Sequence, residues 1–244
     1  MLSLYLIVAV AASPLVSSSG NYRQGRALRR HVYDDKNINT NNLEIADSPK
    51  TLTACHLHCV ENEKCVSYFY LSHNQTCRLH SIAFQNTTHA VALAGSAYYQ
   101  IYEDWCLPDD GHILYRPQRV CYKFYTNLEH NYNDAMAFCQ GKSEELLTVR
   151  NADKHGQITE FLKDYFKGYS VPWSEFSKFF ISANNNTGTL LWPDNTPVIY
   201  TDFATGEPSN EAENCITLYH LYWFKWNDAP CDSLSDIICE HYEP

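Results

Sequence analysis

Two spacings of apolar residues alternate along this chain and outline its elements. Leu52, Cys55 and Cys59 stand at i, i+3 and i+7, one face of a helix. Ser48-Pro49 ahead of them reads as an N-cap followed by Pro at the first helical position. The spacing then shortens to that of strands: CVSYFYL from Cys65 is rich in aromatic and β-branched residues, and Cys77-Arg-Leu looks like the next strand. The helical spacing returns in NDAMAFC, where Ala135 and Cys139 share a face. Leu146-Leu147-Thr148-Val149 is a short buried strand type. Asn151 can cap a further helix, in which Ile158, Phe161, Leu162, Tyr165 and Phe166 recur at amphipathic spacing. Beyond residue 175 the pattern becomes short strands between long polar loops: FFISA, LLW, VIYTDF, ITLY and IICE. Helices early and strands late make this half α+β. The loop 201–214 is long, acidic and Gly/Pro-bearing, so something other than a core must hold it.

The N-terminus differs. Residues 2–12 are almost wholly apolar and lead into a small-residue cluster, the pattern of a signal peptide over 1–19. That run is too short to span a bilayer, which needs about 20 residues, so the mature chain is expected to be secreted and extracellular. Arg23, Arg26, Arg29 and Arg30 then suggest a flexible basic linker over 20–44. Asn74, Asn86 and Asn185 each begin an acceptor sequence for N-linked glycans.

Composition narrows the function. The 244 residues carry a formal charge of −10, and since the first 30 hold four Arg and no acid, the remainder carries −14. Such a body is a poor partner for nucleic acid or anionic membrane. Apolar content of 45% with 14% aromatics excludes a disordered chain. Ten Cys with no CxxC pair argue against zinc ribbons and for five disulfides in an oxidising compartment. They split into four (Cys55, Cys59, Cys65, Cys77) and six (Cys106, Cys121, Cys139, Cys215, Cys231, Cys239), which places a domain boundary near 103–106. His56 and His58, two apart on a helix, cannot share a metal and read as surface residues. The C-x3-C-x5-C-x11-C spacing with SYFYL resembles the PAN/apple module over 45–103. That resemblance implies Cys55–Cys77 and Cys59–Cys65 bridges and a non-catalytic protein- or carbohydrate-binding role.

The candidate chemistry lies between 206 and 240. Gly206-Glu207-Pro208-Ser209-Asn210 leads to Glu213-Asn214-Cys215, and Trp226-Asn227-Asp228 precedes Cys231. Two Cys-anchored segments thus supply three carboxylates, an amide and a hydroxyl. All are hard oxygen donors, a set that suits calcium rather than zinc. The order C…CYxF…AxxxC…GEPx…ExC…WNDxxC…CE resembles the C-type lectin domain in its long form, over 104–244. The resemblance implies two helices, two small antiparallel sheets and a long calcium-binding loop. It further implies bridges Cys106–Cys121, Cys139–Cys239 and Cys215–Cys231, a cis Glu207–Pro208 bond, and one Ca²⁺ held by Glu207, Ser209, Glu213, Asn227 and Asp228. The same five side chains would meet the sugar hydroxyls.

The sequence departs from the family pattern in places. The triplet is EPS where EPN marks mannose-type and QPD galactose-type sugars, so the class of sugar stays open. FISA (Phe180 to Ala183) replaces WIGL, and Phe203 replaces a Trp. The stretch Asn184-Asn185-Asn186-Thr187, with Asn210 and Asn214, offers amides where a second calcium would need acids, so one ion is expected. Tyr219, Tyr222, Trp223 and Phe224 read as alternating strand and core residues. Alternatively one ring, Trp223, stacks on a sugar beside the calcium. The expected function is a secreted calcium-dependent lectin for glycan recognition or innate defence, with clustering into oligomers to raise avidity. The alternative is a protein-interaction module of the same fold that binds no sugar. Without a nucleophile motif, a phosphate loop or HExxH, no enzyme is expected.

Overall fold

A computed structural model describes residues 26–40, 42–46, 51–84, 87–167, 178–185 and 188–243. The expected signal peptide, Ser48-Pro49 and Asn86 lie outside them. The chain divides into two compact units, 1–119 and 120–244.

The first unit is α+β. Its strands are β1 (Arg26–Arg29), β2 (Lys36–Asn37), β3 (Asn42–Ala46), β4 (Ser67–Leu71), β5 (Thr76–His80), β6 (Val91–Ala92), β7 (Ser96–Tyr102) and β8 (His112–Tyr115), with α1 at Leu52–Glu61. Five of them form a sheet in the order β1-β7-β4-β5-β3. Aromatic cross-strand pairs organise it. Phe69 lies opposite Tyr98, with ring centroids 4.8 Å apart, and Tyr33, Phe84 and His80 gather around them. Tyr68 stacks on Tyr99 at 5.2 Å, with His56 of α1 beside it. The Cys55–Cys77 and Cys59–Cys65 disulfides staple α1 to this sheet and to the turn before β4.

Three expectations need correction here. Helix α1 starts at Leu52, not after Ser48, because the Thr51 hydroxyl accepts the Ala54 N–H at 3.1 Å and caps it. His56 is buried rather than on the surface, its ring against Tyr68 and Nδ1 3.4 Å from the Tyr68 hydroxyl. The stretch 20–44, expected to be a flexible basic linker, carries β1, β2 and the start of β3 within its described residues. Ala27 and Leu28 pair with Ile101 and Gln100, while Arg26 and Arg29 turn their charge to Asp104 and Asp34. Arg116 also belongs to this unit. Its guanidinium donates to the carbonyls of Cys59, Val60, Asn62 and Cys65, so a cation closes the C-terminal end of α1.

The second unit contains β9 (Val120–His130), α2 (Tyr132–Gln140), β10 (Glu145–Leu146), α3 (Ala152–Lys167), β11 (Lys178–Asn184), β12 (Cys215–Tyr219), β13 (Lys225–Ala229) and β14 (Ser235–Tyr242). Its strands run β13-β12-β11-β14-β9, and β10 pairs with β14. Asn131 caps α2 through the Asp134 N–H, and Asn151 caps α3 through the Lys154 N–H. Ala135 and Cys139 of α2 pack with Leu146, Phe180, Cys215, Ile237 and Cys239, around the Cys139–Cys239 disulfide. Ile158, Phe161 and Leu162 bury the apolar face of α3. A buried ion pair crosses this core: Lys154 Nζ lies 2.5 Å from Glu240 Oε2, each side chain no more than 1% exposed.

Two expected strands are absent. LLW contributes only single bridges from Leu191 to Asn184 and Pro197, and VIYTDF is extended loop with Ile199 94% exposed. Pro193 and Pro197 lack the N–H that a ladder requires. The FISA strand loses nothing: Phe180, Ile181 and Ala183 are fully buried. No cysteine is free. Among the described residues no helix is long and apolar enough to cross a membrane.

Candidate metal and glycan site

The site is built on the β12–β13 hairpin, whose base is closed by the Cys215–Cys231 disulfide. Ile216 lies opposite Asp228 and Thr217 opposite Asn227. The long loop is laid along this hairpin by its main chain. Asp202 accepts from the Trp226 N–H at 2.9 Å, and Ala204 donates to the Trp226 carbonyl at 2.9 Å. The fully buried Trp226 ring sits among Trp192, Tyr200, Phe203 and His155, and this aromatic box holds the root of the loop. Phe203, which stands where the family pattern has Trp, is half-buried with its ring centroid 5.6 Å from that of Trp226.

From this root the chain turns toward the carboxylates. Gly206 takes φ +93°, a conformation open to Gly and strained for other residues. The Glu207–Pro208 peptide is cis. The N–H groups of Ser209 and Asn210 then donate to the Asp228 carboxylate at 3.0–3.1 Å. Asp228 is 1% exposed, so these bonds replace the water it has lost. The Glu213 N–H donates to the Asn210 carbonyl, closing the turn that brings Glu213 back to the hairpin.

Three of the expected ligands therefore converge. Burial holds the Glu207 carboxyl above its ordinary range. Its hydrogen bond with Asp228 and the charges of Asp228 and Glu213 push the same way, and the Ser209 hydroxyl opposes them. Glu213 is also raised, first by burial and then by Asp228, with Lys178 opposing. One oxygen of Glu207 is buried without a hydrogen-bond partner. Ser209 joins the cluster through both its main chain and its hydroxyl. Asn227 is adjacent on β13, its side-chain amide donating to the Asp228 carbonyl. A buried orphan oxygen among mutually repelling carboxylates, with no nitrogen or sulfur donor in the set, fits a hard divalent cation such as Ca²⁺.

Trp223 does not join the site, and its expected place beside the ion is corrected. It lies at the closed tip of the hairpin, where Leu221 to Phe224 form a turn instead of continuing the strand. Asp228 is three residues beyond Lys225, roughly 10 Å along β13. Phe224 alone of the run is core, 1% exposed. Asn185 reaches the long loop by donating its N–H to the Asn214 carbonyl at 2.8 Å. Sequence reading missed that Asp228 anchors the loop through main-chain N–H groups, and that Lys178 faces Glu213. Neither leaves a trace in side-chain identity alone.

The family model of the lectin C-type domain matches residues 128–241. A protein of Oxyuranus scutellatus named C-type lectin mannose-binding isoform is 31% identical over 145 residues, 57% of this chain and 81% of its own. The chain belongs to the C-type lectin family. A C-type lectin of the same description from Notechis scutatus scutatus is 30% identical with the same coverage, and mouse layilin is 23% identical over 56% of this chain and 41% of its own. Among solved structures, human lithostathine aligns over 55% of this chain and 98% of its own at 22% identity and a TM-score of 0.46. C-type lectins are non-enzymatic and typically calcium-dependent. The second unit, within which the family model matches, is joined to an additional disulfide-rich N-terminal α+β region.

Proposed function

We propose that this chain is a secreted lectin that binds sugar through one Ca²⁺ held by Glu207, Ser209, Glu213, Asn227 and Asp228. The observation that carries it is the convergence of Glu207, Glu213 and Asp228, two of them raised by burial and mutual repulsion, around an unpartnered carboxylate oxygen. A bound calcium would supply positive charge beside Glu207, Glu213 and Asp228, offset the burial and repulsion that raise the first two, and offer sugar hydroxyls places in its shell. Asp228 holds the loop in place through Ser209 and Asn210. Glu207 presents the acceptor that the mannose-type triplet also presents, and two relatives bear mannose-binding names, so the proposed sugar class is mannose-type.

Export is supported by a chain with no free cysteine, as an oxidising compartment requires. In the first unit, Asn74 lies exposed on the β4–β5 turn, where a glycan has room. The proposed division is 1–19 signal peptide, 45–103 PAN/apple-like region and 104–244 lectin domain, with two bridges stapling α1 in the manner of that module. A single sugar makes few contacts, so monovalent affinity is about millimolar, near −4 kcal/mol. Clustering of chains supplies avidity.

The test is calorimetry of calcium on the full chain, followed by mannose and galactose titrations with and without EDTA. One bound ion and chelator-sensitive, mannose-preferring binding is the expected result. Sugar binding that persists in EDTA with unchanged affinity overturns the role of the ion. Calcium binding with no response to any sugar leaves the protein-interaction alternative.

A further inference from the structure

The tip of the β12–β13 hairpin is an unusual construction that the calcium site does not explain. Trp223 and Phe224 both take left-handed backbone, φ +59° and +63°, in a turn without Gly or Asn. Bulky residues rarely adopt this conformation, which crowds their Cβ against the following carbonyl oxygen. The turn is held there by the Trp223 N–H to the His220 carbonyl at 2.8 Å and the Phe224 N–H to the Tyr219 carbonyl at 2.9 Å. It is pinned from below by the buried Phe224 ring, which stacks on Phe166 of α3 at 5.9 Å. The result is a sorted pair of aromatics, Phe224 1% exposed and Trp223 73% exposed. An indole presented to water on a backbone fixed at some cost is a rigid binding platform.

Charge indicates what it takes. Lys163 of α3 places its ammonium 5.9 Å from the Trp223 ring centroid. Lys225, two residues on, lies exposed but is paired with Asp202 at 2.6 Å, so Lys163 is the cation next to the ring. Asp164 beside it on α3 is turned inward and 3% exposed. The ammonium lies over the ring, so a pyranose with both an apolar C–H face and a carboxylate can take its place on the indole and draw it to the carboxylate.

We propose that the Trp223 tip is a second saccharide site, independent of calcium, for an acidic pyranose whose apolar face lies on the indole and whose carboxylate meets Lys163. It is remote from the Glu207–Asp228 cluster, so it stands or falls separately from the calcium-dependent site.

The experiment uses the full oxidised chain in EDTA, which silences the metal site. Tetragalacturonate and the neutral galactotetraose share the ring face and differ in the carboxylates. The expected result is EDTA-resistant binding of tetragalacturonate at least fivefold tighter than that of galactotetraose, read by tryptophan fluorescence and NMR titration. Trp223→Asn keeps a residue that tolerates the left-handed backbone and should weaken tetragalacturonate at least tenfold with an unchanged circular dichroism spectrum. Lys163→Gln should bring the two oligosaccharides to one affinity. The proposal is overturned by absence of binding in EDTA, by binding that Trp223→Asn leaves intact, or by an acidic preference that survives Lys163→Gln. Capture of the tip by phosphatidylcholine vesicles in place of either oligosaccharide also overturns it.

Discussion

Replacing Lys154 by Met isolates the energetics of the lectin unit's core. The Lys154 ammonium is 1% exposed and lies 2.5 Å from Glu240 Oε2, while the other Glu240 oxygen accepts from the Thr148 N–H, the Thr148 hydroxyl and the Tyr242 hydroxyl. Burial pulls Lys154 below the ordinary amine range, against the attraction of Glu240. Losing the cation leaves a carboxylate in the core with three hydrogen bonds and no countercharge. Breaking a buried pair from one side costs about 3–5 kcal/mol. In a unit of 125 residues, where 1 kcal/mol moves Tm by about 4 °C, that is a loss of about 12–20 °C. The double variant Lys154→Met/Glu240→Leu removes both charges and should recover most of the loss, because an apolar pair of similar volume is near neutral in such a place. Urea and thermal unfolding followed by tryptophan fluorescence reads this unit well, since four of the five Trp lie beyond residue 119. A cost below about 1 kcal/mol for Lys154→Met, or a double variant no more stable than the single, would refute the reasoning.

The raised Glu207 and Glu213 carboxyls set a pH dependence in the calcium-free protein. Folded pKa values above the ordinary 4.5 mean the fold holds these protons longer than the unfolded chain, so their stabilisation is present at low pH and lost as pH rises through the raised values. Between pH 4.5 and 6.5, the Tm of Glu213→Gln in EDTA should rise relative to wild type, and the calcium-induced gain in wild-type Tm should grow; parallel profiles would count against the repulsion. His155 has the opposite sign. Its Nε2–H donates to the Phe224 carbonyl at 2.8 Å and Nδ1 accepts from the Tyr200 hydroxyl at 2.9 Å, and burial lowers its pKa from the ordinary 6.5. Stability is lost as pH falls below that value, and His155→Gln should flatten the acid limb of the Tm profile between pH 7 and 5. Arg116→Ala should cost the first unit about 2–4 kcal/mol, since hydrogen bonds to a charged group are worth roughly 1.5–3 kcal/mol and are not additive; amide exchange at the C-terminal turn of α1 is the readout, and unchanged protection there contradicts the capping role.

What sequence reading reached, and what it did not, follows from the range of the forces involved. Helix α3 was legible because Ile158, Phe161 and Leu162 repeat on one face and Asn151 caps its own next turn, all within a dozen residues. β1 was not legible. RALR has no alternation of its own and becomes a strand only because β7, about seventy residues later, offers Tyr99 to Tyr102 as a ladder. His56 fails for the same reason: its helix gives no sign that Tyr68 will cover it. VIYTDF errs the other way, since its β-branched residues signal a strand while Pro197 and the docking of Asp202 and Ala204 on Trp226 make it a loop root.

The site divides along the same line. Which residues could supply oxygen was legible in the motifs, because a hard cation would constrain side-chain chemistry. How they are held could not, because the holding is done by main chain. Asp228 receives the N–H groups of Ser209 and Asn210 whatever side chains those residues carry, so the loop position is insensitive to the change from Asn to Ser in the triplet. The consequence of EPS is therefore confined to one side chain. The Ser209 hydroxyl engages Glu207, where an Asn in its place would offer a longer reach and a carbonyl. Under the proposed calcium site, that substitution would alter the strength and selectivity of the coordination while leaving the scaffold that presents it intact. The backbone bonds to Asp228 and the aromatic box around Trp226 hold the loop whatever side chain stands at the third triplet position, so what the proposed site binds can vary without a change in how the chain folds.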